Sequence, residues 1–188
     1  MSNEEIIWDY LYEKIRNPYG VAALMGNLFA ESSLNPLCAN GVKKYGMSYS
    51  DYTGIVDSGM SDAFVTDGIA YGLVQWCYKT RKRALLDFAR EQGKSIGDVY
   101  LQLDFLWYEL QSYKTVLNAL CMGTNIKEIS DIVMLKYERP ANKSDAAKEK
   151  RAKYANKYYL KYGIEDIKIS ITENVANNIL KEIEGKIQ

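Results

Sequence analysis

Apolar residues recur at helical spacing through most of the chain. Ile7, Trp8, Leu11, Tyr12 and Ile15 form the first stripe, with Ser2 or Asn3 placed to cap it. "NPYG" restarts the pattern, Asn17 acting as N-cap and Pro18 at the first helical position. Val21, Leu24, Met25, Leu28 and Phe29 then mark a buried helix, expected to end at Asn35-Pro36. From Leu37 to about Trp76 the periodicity fades into Gly-, Ser- and Asp-rich sequence. One short helix near residues 49–57 and a small hairpin are expected there, and so long an unpatterned stretch in a compact domain points to function.

Helical patterning returns at about 78–92, with Arg81, Lys82 and Arg83 expected to face solvent. A further helix opens at Ser95 or Gly97 and is expected to run to about Leu120, with Trp107 and Tyr108 in the core. Asn125 and Glu128 resemble a capping box before Ile129, Val133 and Tyr137, and Pro140 breaks that helix. Ser144 caps the next, which stops at Gly163. The pattern divides the chain into a mainly helical domain over 1–163 and a C-terminal extension over 164–188. In the extension "IKISIT" reads as a strand and "NVANNILKEIEGKIQ" as an amphipathic helix, which either packs on the domain or leads toward a further module.

One position breaks the pattern of the second helix. Glu31 continues its apolar stripe close to the helix C-terminus. Partial burial and the negative end of the helix dipole both disfavour an anion there. That suits a carboxylic acid delivering a proton near neutral pH. The alternative is a frayed last turn with Glu31 in water.

Composition narrows the chemistry. The 188 residues are 47% hydrophobic, and 24 basic residues balance 24 acidic ones. Zero net charge supplies no long-range attraction to nucleic acid or anionic lipid, so neither is an expected partner. Histidine is absent, which removes Ser/His/Asp and Cys/His catalysis and makes a typical zinc site an unlikely expectation. No metal or cofactor is implied. Sixteen tyrosines against four phenylalanines supply the amphipathic aromatic surface of carbohydrate grooves, or merely the edge of a core. Cys38, Cys77 and Cys121 lie far apart and are expected as three buried thiols. The N-terminus lacks a basic and apolar signal pattern, and no apolar run approaches a membrane span.

A second candidate is "TDGIAYGLVQW", residues 66–76. Gly72 lets backbone approach a ligand, while Tyr71, Gln75 and Trp76 offer stacking surface and an amide. A plain hairpin with aromatic packing accounts for the same residues.

A helix-terminal Glu followed by a Gly-rich hairpin with Gly-Leu-x-Gln resembles the goose-type lysozyme and lytic transglycosylase superfamily, and more closely the phage tail lysozyme family. The resemblance runs from "IWDYLYEK" through "GVAALMGNLFAESSLNP", "YGLVQW", "LQLDFLWYEL" and "YERPA" to "RAKYANKYY". It implies an α+β lysozyme-like fold, mainly helical, with a glycan cleft beside a small β element. The implied activity is cleavage of the β-1,4 bond between N-acetylmuramic acid and N-acetylglucosamine of bacterial peptidoglycan. Glu31 would be the general acid, Ser32 would help hold it, and Gly72, Leu73 and Gln75 would line the groove. Asp67 would position water, with Asp57 and Asp62 behind it, and Tyr137 would be a groove tyrosine. Where goose-type enzymes often carry another aspartate after this motif, Cys77 stands here. The resemblance implies a tail-associated virion enzyme, made in the host cytoplasm without a signal peptide, opening the wall locally during DNA entry among other tail proteins. A lytic transglycosylase, or a non-catalytic wall-binding tail protein on the same fold, are the alternatives. Glu138 and Arg139 could face the groove, but a salt bridge stabilising the turn before Pro140 is the expected role.

Overall fold

The computed structural model describes residues 1–59, 61–164 and the isolated positions 172, 174 and 175. The expected strand and final helix of the extension fall outside the described residues except at those three positions. Helix α1 (Asn3–Ile15) starts in a capping box: the Ser2 hydroxyl accepts from Glu5 N, and the Glu5 carboxylate accepts from Ser2 N. Helix α2 (Pro18–Ser32) starts at Asn17, whose side chain accepts from Tyr19 N. It ends at Ser32, three residues ahead of the Asn35-Pro36 break, because Ser33 and Leu34 turn left-handed.

α2 is the central element, buried without interruption from Gly20 to Leu28. Burial of each large aliphatic residue such as Leu24 or Leu28 stabilises the fold by about 1.5–3 kcal/mol. Around α2 pack α1, α7 (Lys114–Met122), α8 (Ile126–Ile132) and, most extensively, α9 (Asp145–Tyr158). Gly20 meets α7, where a Cβ would stand 1.9 Å from Leu120 O, and Gly26 meets α9, where a Cβ would stand 2.5 Å from Ala155 N and 2.7 Å from Arg151 O. Only glycine lets α9 lie this near.

The weakly patterned stretch folds as β1 (Ala39–Asn40), α3 (Tyr49–Asp57), α4 (Ser61–Thr66) and β2 (Ala70–Tyr71). β1 and β2 pair antiparallel, Ala39 opposite Tyr71 and Asn40 opposite Ala70. A tight turn then doubles the chain back, with Tyr71 and Trp76 exchanging two backbone hydrogen bonds of 3.1 and 2.9 Å. The result is mainly helical with a small two-stranded sheet, as expected.

Four local expectations are corrected. On α5 (Lys79–Glu91), Lys82 is fully buried and Arg81 largely so, because each meets a carboxylate inside the fold. The long helix after residue 95 is two: α6 (Val99–Leu110), capped by Asp98, and α7, separated by a turn at Gln111–Tyr113. Tyr108 is exposed, stacked on Phe88 and Phe105 from outside. All three cysteines are free, but Cys77 is exposed and Cys121 only half-buried.

Candidate active site

A cleft of about 400 Å³ opens between the end of α2, the β1–β2 pair with its turn, α5, and the segment that follows α8. Glu31, Asn40, Gln75, Tyr78, Arg81, Glu138 and Arg139 are among its lining residues. Tyr78 is the exposed aromatic on this wall, and Cys77 also faces the cleft.

Backbone geometry concentrates here. Ser33, Leu34, Gln75 and Arg139 adopt left-handed φ of 55°, 59°, 55° and 53°. Each such non-glycine residue costs about 1–3 kcal/mol, a cost that persists where surrounding contacts over-determine the chain. Two of them lie two and three residues after Glu31, and two line the cleft. Arg139 also terminates a π-helical turn over Val133–Glu138, a local widening that often accompanies functional positions.

The turn after β2 is clamped from within. Gln102, on α6, is buried: its carbonyl accepts from Leu73 N at 2.8 Å, and its amide donates to Pro36 O and Ile96 O, both at 2.7 Å. Gly72 has φ 75°, and a Cβ on it would meet the Gln102 carbonyl oxygen at 2.6 Å. Glycine is therefore required twice over. The Ser32 hydroxyl donates to Leu73 O at 2.9 Å and Leu28 O at 3.1 Å, lashing the turn to the end of α2. Gln75 donates inward to Cys38 O and Gly72 O. These contacts fix Glu31 against the β element.

Glu31 itself is half-buried and receives a hydrogen bond from Arg151 Nη2 of α9. The other side of the same guanidinium faces Glu138, with Nε 3.5 Å from Oε2. Glu138 has a side chain only 2% exposed, and neither carboxyl oxygen has a hydrogen-bond partner. Burial, reinforced by the charge of Glu31 and opposed by Arg151 and Arg81, pushes its carboxyl up to about 8. Glu138 thus borders the cleft and does form an ion pair, reaching Arg151 on α9, with its carboxyl oxygens buried. Arg151 carries no signal in the sequence, standing in an exposed-looking "KEKRAKY" stretch.

Other candidate residues lie elsewhere. The Asp67 carboxylate accepts from Lys82 Nζ at 2.6 Å, from Ile69 N at 2.8 Å and from the Tyr52 hydroxyl, and it is not among the cleft-lining residues. Asp57 accepts from Ser95 Oγ and Ile96 N. Tyr71 is fully buried with its hydroxyl on Thr53, so it offers no stacking face. Trp76 and Tyr137 are buried too, both donating to Glu109; they stand behind the cleft wall. Leu73 is likewise a core residue.

A half-buried carboxyl at the end of a helix, opening onto a cleft in a mainly helical domain with a small β element, is compatible with a lysozyme-like fold. The family model for phage tail lysozyme matches residues 2–162, and the chain belongs to that family. Membership makes it a peptidoglycan-degrading protein of the phage tail. No curated protein matches the chain. Among the described residues no helix is long and apolar enough to cross a membrane.

Proposed function

We propose that this protein is a muramidase that cleaves the β-1,4 bond between N-acetylmuramic acid and N-acetylglucosamine, with Glu31 as general acid. The observation that carries the reading is Glu31 itself, a carboxyl at the end of a buried helix that opens onto the cleft and is oriented by Arg151. Glu31 protonates the glycosidic oxygen as the bond to the anomeric carbon breaks. Tyr78, Asn40 and Arg139 contact the sugars, while Ser32, Gly72, Leu73 and Gln75 hold the turn that carries this wall. Acting from the virion, the enzyme opens the wall locally during DNA entry.

A specific observation favours a second reading. Asp67, nominated by the sequence for the water, has its carboxylate committed to Lys82, Tyr52 and Ile69 N. Without a carboxylate to activate water as general base, attack by the muramic acid 6-hydroxyl yields a 1,6-anhydro end, as in lytic transglycosylases. Mass spectrometry of muropeptides separates the two, since hydrolysis adds one water per cut and the intramolecular route adds none. Purified wall digested by the wild type and by Glu31→Gln tests both readings at once. Nearly complete loss of cleavage in the folded variant is expected; persistence of cleavage removes Glu31 from the mechanism.

A further inference from the structure

Arg139 lines two hollows at once. One is the cleft that holds Glu31; the other, of about 380 Å³, opens between the start of α7 and the π-helical turn. Lys114 and Lys136 line the second hollow with it. All three cations are exposed, and among the described residues none has an ion-pair partner. Neighbouring cations are matched by acids, Arg81 by Glu109 and Arg151 by Glu31. In a chain whose 24 basic and 24 acidic residues balance, the hollow is a local excess of positive charge that an anion would relieve. Arg139 is also held in place. Its left-handed backbone gives N–H to Met134 O at 2.8 Å, and its Nε donates to Lys136 O at 3.0 Å. Its terminal nitrogens make no hydrogen bond among the described residues, so two N–H donors remain for a carboxylate.

We propose that this hollow is a subsite for the stem peptide of peptidoglycan, taking its carboxylates on Lys114, Lys136 and Arg139. The inference rests on the muramidase reading of the cleft. The muramic acid beside the broken bond carries the peptide on its lactyl ether, so a substituent leaving a sugar past Arg139 enters the hollow. The lactyl carboxyl is consumed in the amide to the peptide, which places the negative charge of the strand on the peptide and not on the sugars. Arg139 offers its planar fork to one carboxylate at the mouth, and the two lysines act as point charges further in. Each exposed pair contributes little by itself; the three together set a preference for charged strands.

Two soluble, uncross-linked substrates free of phosphate polymer test it. One is the glycan strand with its stem peptides; the other is the same strand with the peptide carboxylates converted to amides. The wild type is expected to prefer the charged strand in kcat/KM by about tenfold, since exposed charge pairs are worth roughly two- to fivefold each. The preference lies in KM with kcat unchanged, because these contacts stand away from the bond that breaks. Lys114→Gln combined with Lys136→Gln removes most of it, and Lys114→Arg combined with Lys136→Arg keeps it. No preference in the wild type, a preference that survives both Gln substitutions, or a loss equal on the two strands overturns the proposal. A lysine dependence confined to walls that carry phosphate polymer also overturns it and assigns the hollow to that polymer. Release of muramic acid ends, reducing or anhydro, from either strand upholds the muramidase reading whichever way the preference falls. Absence of such ends from both removes that reading, and the subsite with it.

Discussion

Glu109 holds more of the cleft together than any residue facing it. Its carboxylate accepts from Trp76 Nε1, from Arg81 Nε and Nη2, and from the Tyr137 hydroxyl. It thereby joins the turn after β2, α5 and the π-helical turn to α6. The Arg81 guanidinium also lies 4.9 Å from the centre of the Tyr137 ring. Glu109→Ala leaves a largely buried cation, an indole N–H and a phenol unpaired, and is expected to cost about 3–5 kcal/mol. Equilibrium urea unfolding checks it; a loss within experimental error would mean the wall stands without this hub. The same residue explains why Trp76 and Tyr137 looked like groove aromatics in the sequence. An amphipathic ring suits a sugar face and a buried polar hub equally well. What distinguishes them is a partner distant in the chain, which spacing along the chain does not reveal. Glu31 was legible because its anomaly is local, a charge on an apolar stripe. Glu138 and Arg151 were not, because their significance is only their meeting with Glu31.

Among elements, the α2–α9 contact decides whether the site exists. Gly26 brings the α9 backbone against α2, and the carbonyl of Arg151 is one of the atoms an added methyl would strike. Gly26→Ala is expected to push α9 outward and to destabilise by about 1–3 kcal/mol through overpacking. Because Arg151 moves with α9, activity should fall at temperatures where circular dichroism still reports a fully folded variant. Unchanged kcat in a destabilised variant would show that the Arg151–Glu31 contact tolerates the shift. Helix starts were readable because capping is a short-range bond: Ser2, Asn17, Asn125 and Ser144 each accept from a backbone N–H two or three residues ahead. The α6–α7 break and the β1–β2 pairing were harder. At Gln111–Tyr113 no Gly or Pro marks the break, and β1 pairs across two intervening helices. The buried Lys82 was missed for a related reason: its basic neighbours suggest a solvated face, while its acceptors, Asp67 and Ile69 O, lie on the loop before β2.

At the scale of the whole molecule, acids shifted in opposite directions should make stability peak between two limbs. Burial works to raise Glu4, but hydrogen bonds from Lys161 and Tyr162 hold it below the ordinary carboxylate value. A hydrogen bond from Lys148 does the same for Asp145. Such groups contribute stability above their unfolded values, and that contribution is lost as pH falls through the folded ones. Glu138 acts in the reverse sense. Burial, with the charge of Glu31, raises it from an ordinary 4.5 to about 8, so between those values the folded protein holds a proton that the unfolded chain has released. Its contribution is complete below the unfolded value, declines as pH rises through that window, and is lost above about 8. The decline is on the order of a few kcal/mol at most. Denaturant midpoints measured from acid to mildly alkaline pH should therefore fall on the alkaline side in the wild type and fall less in Glu138→Gln. Parallel alkaline limbs in the two proteins would mean that Glu138 ionises in the folded state as readily as in the unfolded chain. The comparison needs no substrate, so it separates the energetics of the buried acid from any role in the reaction. A buried carboxyl without a donor stabilises the fold only while it keeps its proton, so the alkaline limb reads the cost of its burial directly.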